Sequence, residues 1–370
     1  MVYFNSFLRN LKPYPLASHK IWTVDRDERD GMLKLDWNEA TIPPSPKVSE
    51  NIHALLEKEN FYNIYPPTTN PKLLQTLAAY VGLPTENIQY CVGSDTVQEY
   101  IAKTFIAPGD PVLALGPCYD NFRLTAQANG AVVTIHEVDE EFAFDAAAFE
   151  AAIDSLNPRF IYICSPNNPT GYLHPIPYIE KLVSAYTDSM FLIDEAYWEF
   201  AGVTAKDLVL RYPNVIVSRT MSKAFAIANF RFGYMVSSAE NISRMSIVRN
   251  PKNINSFTQA AVMGVLADAD YMWRYVKQVN AAREVFYKAL TALPRHLKPY
   301  RSEGNFILIK CCSPQFKDGL IQYLAERNIF IRGLHQSKLL ESCARISIGT
   351  QPQMERVLSG IQEFIATYKA

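Results

Sequence analysis

Residues Arg159–Gly171 read RFIYICSPNNPTG. The apolar, β-branched run RFIYIC suits a strand buried on both faces, and the Asn and Pro pairs that follow, closed by Gly171, describe a tight turn. A buried strand that stops in such a turn marks the carboxyl edge of an open α/β sheet, where ligands bind. The same reading extends in both directions. QYCV (89–92), PVLAL (111–115), AVVTI (131–135), MFLID (190–194), NVIVS (214–218) and GYMVS (233–237) are further strand candidates separated by helical patterns. That alternation predicts βα units and a mainly parallel sheet covered by helices.

Near residue 250 the tempo changes. NPKNINSF is followed by long amphipathic stretches, then by the strand candidates NFILIK and ARISI and a last helix with Val357, Leu358, Ile361, Phe364 and Ile365 on one face. The expected organisation is therefore α/β: a large domain over 49–252 and a smaller α+β domain over 253–370. Residues 1–48, rich in Pro and charge, are expected to form an arm that packs on the small domain or on a partner subunit. No internal repeat points to a solenoid.

The chain has 370 residues, with 36 Lys and Arg against 37 Asp and Glu, so neither nucleic acid nor an acidic membrane surface is an expected partner. No segment carries the roughly 18 uninterrupted apolar residues of a membrane span, and no signal peptide opens the chain, so a cytoplasmic protein acting on small molecules is expected. Cys91, Cys118, Cys164, Cys311, Cys312 and Cys343 lack metal-ligand spacing and are expected to be buried, reduced thiols.

Two patches besides SPNNPTG carry chemistry. In FLIDEAYWEF an apolar strand runs into Asp194 and Glu195, with Tyr197 beyond, and a carboxylate at the end of a buried strand needs a cation or hydrogen-bond donors. In RTMSKAFAIANFRFGY, Lys223 follows Thr220 and Ser222 and precedes Arg231, a set able to hold a phosphate while leaving an amine for covalent work. Taken singly each has a plain reading: a solvated lysine, a turn carboxylate, surface charges, cap hydroxyls.

Together with DWNEA, YPP, VGSDT, GPCY, EGNFIL and RISIGT, these patches resemble the fold-type I pyridoxal-phosphate aminotransferases, and within them the histidinol-phosphate aminotransferase branch; the likeness runs from Asp36 to Thr350. It implies pyridoxal 5'-phosphate as cofactor, held as a Schiff base on Lys223, with Asp194 pairing the ring nitrogen, Asn168 and Tyr197 on the ring oxygen and Tyr119 stacked on the ring. It assigns the phosphate to Ser94, Asp95, Thr220, Ser222 and Arg231, and to Tyr65 of a neighbouring subunit, which implies a homodimer with shared sites. Ser94 also reads as a plain helix N-cap. Substrate anions fall to Arg345 and Arg332, with Asn38 bordering the substrate.

The implied reaction moves an amino group between a donor such as glutamate and a small, phosphorylated acceptor of the histidinol-phosphate kind. An aromatic or other amino-acid aminotransferase, or a decarboxylase resembling the threonine-phosphate enzymes, is the alternative. The departures lie near the substrate: Thr96 after Asp95, Ala226 and Asn229 where glycines are common, and NPKNINS in place of a more proline-centred stretch.

Overall fold

The computed structural model describes residues 4–9, 11–12, 24, 29, 31–59, 61–293, 295–335 and 337–368. All seven apolar runs between 89 and 237 form strands of one sheet: β2 (Ile88–Cys91), β3 (Pro111–Gly116), β4 (Val132–Glu137), β5 (Phe160–Cys164), β6 (Met190–Asp194), β7 (Val215–Thr220) and β8 (Gly233–Ser237). Their order is β2-β8-β7-β6-β5-β3-β4. β3, β4, β5, β6 and β7 pair in parallel, while β8 runs antiparallel to both of its neighbours. Every residue of β5 and β7 is buried, which is why these strands read as continuous apolar runs rather than alternating ones.

A second sheet has the order β1-β11-β12-β10-β9, formed by β1 (Leu33–Leu35), β9 (Leu297–Pro299), β10 (Phe306–Cys311), β11 (Ile329–Gly333) and β12 (Cys343–Ser347). Among the described residues only β1 comes from the first 48, and it pairs in parallel with β11, Lys34 opposite Phe330. Much of the arm expected over 1–48 lies outside the described residues. The last helix, Gln351–Thr367, buries Val357, Ile361 and Phe364, with Leu358 and Ile365 packed partly against the core.

All six cysteines are free, and the expectation that they are buried needs correction: Cys118 is half-buried and Cys312 exposed, because Cys312 follows the end of β10 instead of lying within it. Among the described residues no helix is long and apolar enough to cross a membrane, and no His, Cys, Asp or Glu group could hold a metal ion.

The carboxyl ends of β5, β6 and β7 face the start of the helix Gly93–Phe105, which follows β2. Two glycines permit that approach. A Cβ on Gly233 would lie 2.4 Å from the Gly93 carbonyl carbon, and one on Gly93, whose φ is +73°, would lie 2.8 Å from an Arg231 guanidinium nitrogen.

Candidate active site

A cavity of about 510 Å³ opens at this edge, lined among others by Ser94, Asp95, Tyr119, Asn168, Asp194, Tyr197, Thr220, Ser222, Lys223, Arg231 and Arg345. The structure thus brings together eleven residues singled out from the sequence. It sets three apart. Tyr65 is 74% exposed, with the Lys252 ammonium 4.4 Å from its ring centre. Arg332 lines an adjoining cleft that shares Tyr119, Asn168 and Arg345 with the cavity. Asn38 is fully buried at φ +56°, where its amide donates to Tyr197 Oη at 3.0 Å and its Oδ1 accepts from Ser347.

The floor is built on β6. Asp194, 3% exposed, accepts hydrogen bonds at Oδ2 from Gln98 (3.2 Å) and Tyr162 (3.0 Å), and at Oδ1 from the Ala196 amide (3.2 Å). All three donors are neutral, and burial pushes the carboxyl up to about 6, against the pull of those donors. Tyr197 Oη accepts from both Asn38 and Asn168 (3.2 Å), so its own proton is left to donate elsewhere. Asn168 in turn accepts from Arg345 through Oδ1 at 2.5 Å, and Arg345 also donates to the Asp36 carbonyl at 2.6 Å.

Lys223 Nζ donates to the Trp37 carbonyl at 2.7 Å. Burial, reinforced by the Arg345 charge, brings its amine down to about 8, so a substantial neutral fraction exists near physiological pH. At the other end, the helix Gly93–Phe105 starts without a side-chain cap: Val92 holds the cap position and Ser94 lies one residue inside the helix, so the N-cap reading of Ser94 is corrected. Unsatisfied N–H groups at such a start favour an anion. Around it stand Thr220, which donates to Ser222 Oγ at 3.0 Å, and Arg231, paired with Asp95 at 3.1 Å; Asp95 also accepts from Tyr119 Oη at 3.3 Å.

Sequence reasoning missed Gln98 and Tyr162, whose hydrogen bonds hold Asp194, and Trp37 and Glu39, which line the cavity beside Lys223. DWNEA pointed at the right segment, but which of its residues face the cavity depends on the backbone turn at Asn38.

The family model of aminotransferase class I and II matches residues 30–361. The chain belongs to that family. This aminotransferase is 39% identical over 363 residues to a dihydroxyacetone phosphate transaminase of Campylobacter jejuni, covering 97% of this chain and 96% of that protein. It is 33% identical over 323 residues to a histidinol-phosphate aminotransferase of Ruminiclostridium cellulolyticum, covering 87% and 89% of the two chains. In fold it matches the histidinol-phosphate aminotransferase of Sinorhizobium meliloti in complex with pyridoxal-5'-phosphate, with a TM-score of 0.87 over 99% of this chain and 98% of that one at 23% identity.

The aminotransferase is pyridoxal-phosphate-dependent, and its own residues fit that cofactor. A buried carboxylate held only by neutral donors suits a protonated ring nitrogen, an uncapped helix start beside Arg231, Thr220 and Ser222 suits a phosphate, and a depressed lysine amine lies in the same cavity.

Proposed function

We propose that this aminotransferase moves an amino group from a donor of the glutamate kind to a small phosphorylated ketone. The observation that carries this reading is the pairing of Arg332 with Arg345: they are direct partners across β11 and β12, and both line the cleft that continues from Lys223. Two guanidinium groups on one face repel each other and lose hydration, so an anion between them is favoured, and a phosphate or carboxylate matches their planar forks. The likeness to a transaminase named for dihydroxyacetone phosphate and to histidinol-phosphate aminotransferases supports the same class of substrate.

In this reading Lys223 holds the cofactor covalently. Asp194 bonds the ring nitrogen, Tyr197 and Asn168 the ring oxygen, and Tyr119 covers the ring; the Gly93–Asp95 turn, Thr220, Ser222 and Arg231 take the phosphate. Bound there, pyridoxal phosphate supplies an electron-accepting ring that stabilises negative charge on the substrate's amine-bearing carbon. Once the substrate amine has displaced it from the cofactor, the freed Lys223 Nζ takes the proton from that carbon, and Arg345 fixes the substrate anion so that the departing proton faces Lys223. Asn38 holds Tyr197 in place from behind.

A homodimer with shared sites belongs to the proposal. Tyr62, Ile64 and Tyr65, 81%, 65% and 74% exposed, form an apolar run that suits a subunit contact and would bring Tyr65 to the partner's phosphate cradle. A cytoplasmic location is proposed on the likeness to small-molecule biosynthetic enzymes.

The test pairs a donor panel with phosphorylated and unphosphorylated ketones. Arg332→Ala should lower kcat/KM for the phosphorylated acceptors by the equivalent of about 2–5 kcal/mol, and much less for acceptors that lack the phosphate. Equal losses on both, or none, would point to an aromatic or other amino-acid aminotransferase. Release of carbon dioxide in place of an oxo product would point to a decarboxylase.

A further inference from the structure

We propose that Glu39 is a specificity-determining residue, which accepts a hydrogen bond from a hydroxyl on the substrate arm opposite the phosphate. The inference rests on the phosphorylated-ketone reading and sharpens it to a three-carbon ketone with phosphate on one arm and hydroxyl on the other. The cavity around Lys223 opens on two sides. Toward Arg332 it continues through Tyr119, Asn168 and Arg345. Toward the other side it shares Glu39, Ser222, Ala228 and Asn229 with a second hollow of about 440 Å³, and the Arg332 cleft and this hollow have no lining residue in common. A substrate centred on Lys223 with its anion at the arginines therefore sends its other arm toward Glu39.

The charge there is opposite in sign and fixed. Lys34 pairs with Glu39 Oε2 and with Asp36 (2.9 Å), and its ammonium sits 4.2 Å from the centre of the Trp37 ring. Lys34 is shared by two carboxylates and reaches Glu39 through Oε2, and among the described residues Oε1 of Glu39 receives no hydrogen bond. An ionised oxygen in this position favours a hydroxyl donor and disfavours a second anion. Asn229, exposed at the rim, adds an amide to the same wall.

The test measures kcat/KM of the holoenzyme for dihydroxyacetone phosphate and for hydroxyacetone phosphate, which lacks that hydroxyl, and for the unphosphorylated pair hydroxyacetone and acetone. The native enzyme should favour the hydroxylated member of each pair by about tenfold or more, since a site that bonds a hydroxyl discriminates strongly against its absence. In Glu39→Ala the ratio should fall to within about twofold of one, and Glu39→Gln, which keeps an acceptor and the chain length, should fall between. A hydroxyl preference that is absent in the native enzyme, or unchanged in Glu39→Ala and Glu39→Gln, overturns the proposal. If phosphate confers no advantage while the hydroxyl preference persists and disappears in Glu39→Ala, the phosphate reading fails and the role of Glu39 stands.

Discussion

Asp194 and Glu195 are sequence neighbours at the end of one strand, both nearly fully buried, yet their surroundings differ in kind. Glu195 meets the buried guanidinium of Arg219 at 2.9 Å, with Thr204 donating at 2.8 Å and the Ala205 amide at 2.5 Å, and the Arg219 guanidinium lies 4.0 Å from the centre of the Trp198 ring. Asp194 meets the neutral donors Gln98, Tyr162, Ser218 and the Ala196 amide, and beyond them the cavity. The first carboxylate has its counter-charge built in. The second has only neutral donors around it, which suits the cationic ring nitrogen proposed for this position. A buried acid is thus informative about function through the charge of its partners, more than through its burial.

The largest effect that would sharpen this contrast is on turnover. Asp194→Asn should fold and lose about 10³-fold or more in kcat, because a neutral amide cannot sustain a positive ring nitrogen; near-normal rates would break the distinction between the two carboxylates. Glu195→Gln should act on stability instead. It strands the Arg219 charge in the core and should lower the unfolding free energy by about 3–5 kcal/mol. Denaturant unfolding monitored by circular dichroism provides the measurement, and an unaltered midpoint would remove the structural role.

Next in size is a pH effect on the apoprotein. The folded state raises the Asp194 carboxyl from an ordinary 3.8 to about 6, so it binds this proton better than the unfolded chain does. Its contribution is most favourable below pH 4 and is lost as pH rises through 6, by about 3 kcal/mol in all. Glu199, pushed up by burial to about 8, titrates over an overlapping window, so the difference between native and Asp194→Asn apoproteins isolates Asp194. Above pH 6 the Asn variant should be the more stable apoprotein while being the poorer enzyme. The smallest effect concerns Lys223: because burial favours its neutral amine, stopped-flow capture of pyridoxal phosphate by the apoenzyme should speed up as pH rises through about 8. A rate still climbing steeply near pH 10.5 would mean an ordinary, solvated lysine.

Much of this was legible in the sequence, for physical reasons. Strands buried on both faces leave long apolar runs, so RFIYIC, MFLID and NVIVS announced the sheet, and short motifs at strand ends such as SPNNPTG and TMSKAF announced the edge that carries the cavity. The difference between Asp194 and Glu195 was not legible, because it is decided by Arg219, 24 residues after Glu195, and by Gln98, 96 residues before Asp194. The placement of β1 beside β11, nearly 300 residues away in sequence, was equally hidden in three apolar-polar-apolar residues, and with it the clamp that Lys34 places on Glu39. Tyr65 stays outside the cavity of its own chain, and sequence assigned it a role only through the likeness to a family.

The central claim is that the open carboxylate, the uncapped helix start and Lys223 form one mount for a single cofactor. Borohydride reduction of the holoenzyme followed by peptide mapping tests it most directly. The pyridoxyl label should fall on Lys223, within the peptide that carries Thr220 and Ser222, and Lys223→Ala should still take up cofactor reversibly without being labelled. A label on any other lysine, or undiminished labelling of Lys223→Ala, would contradict the account.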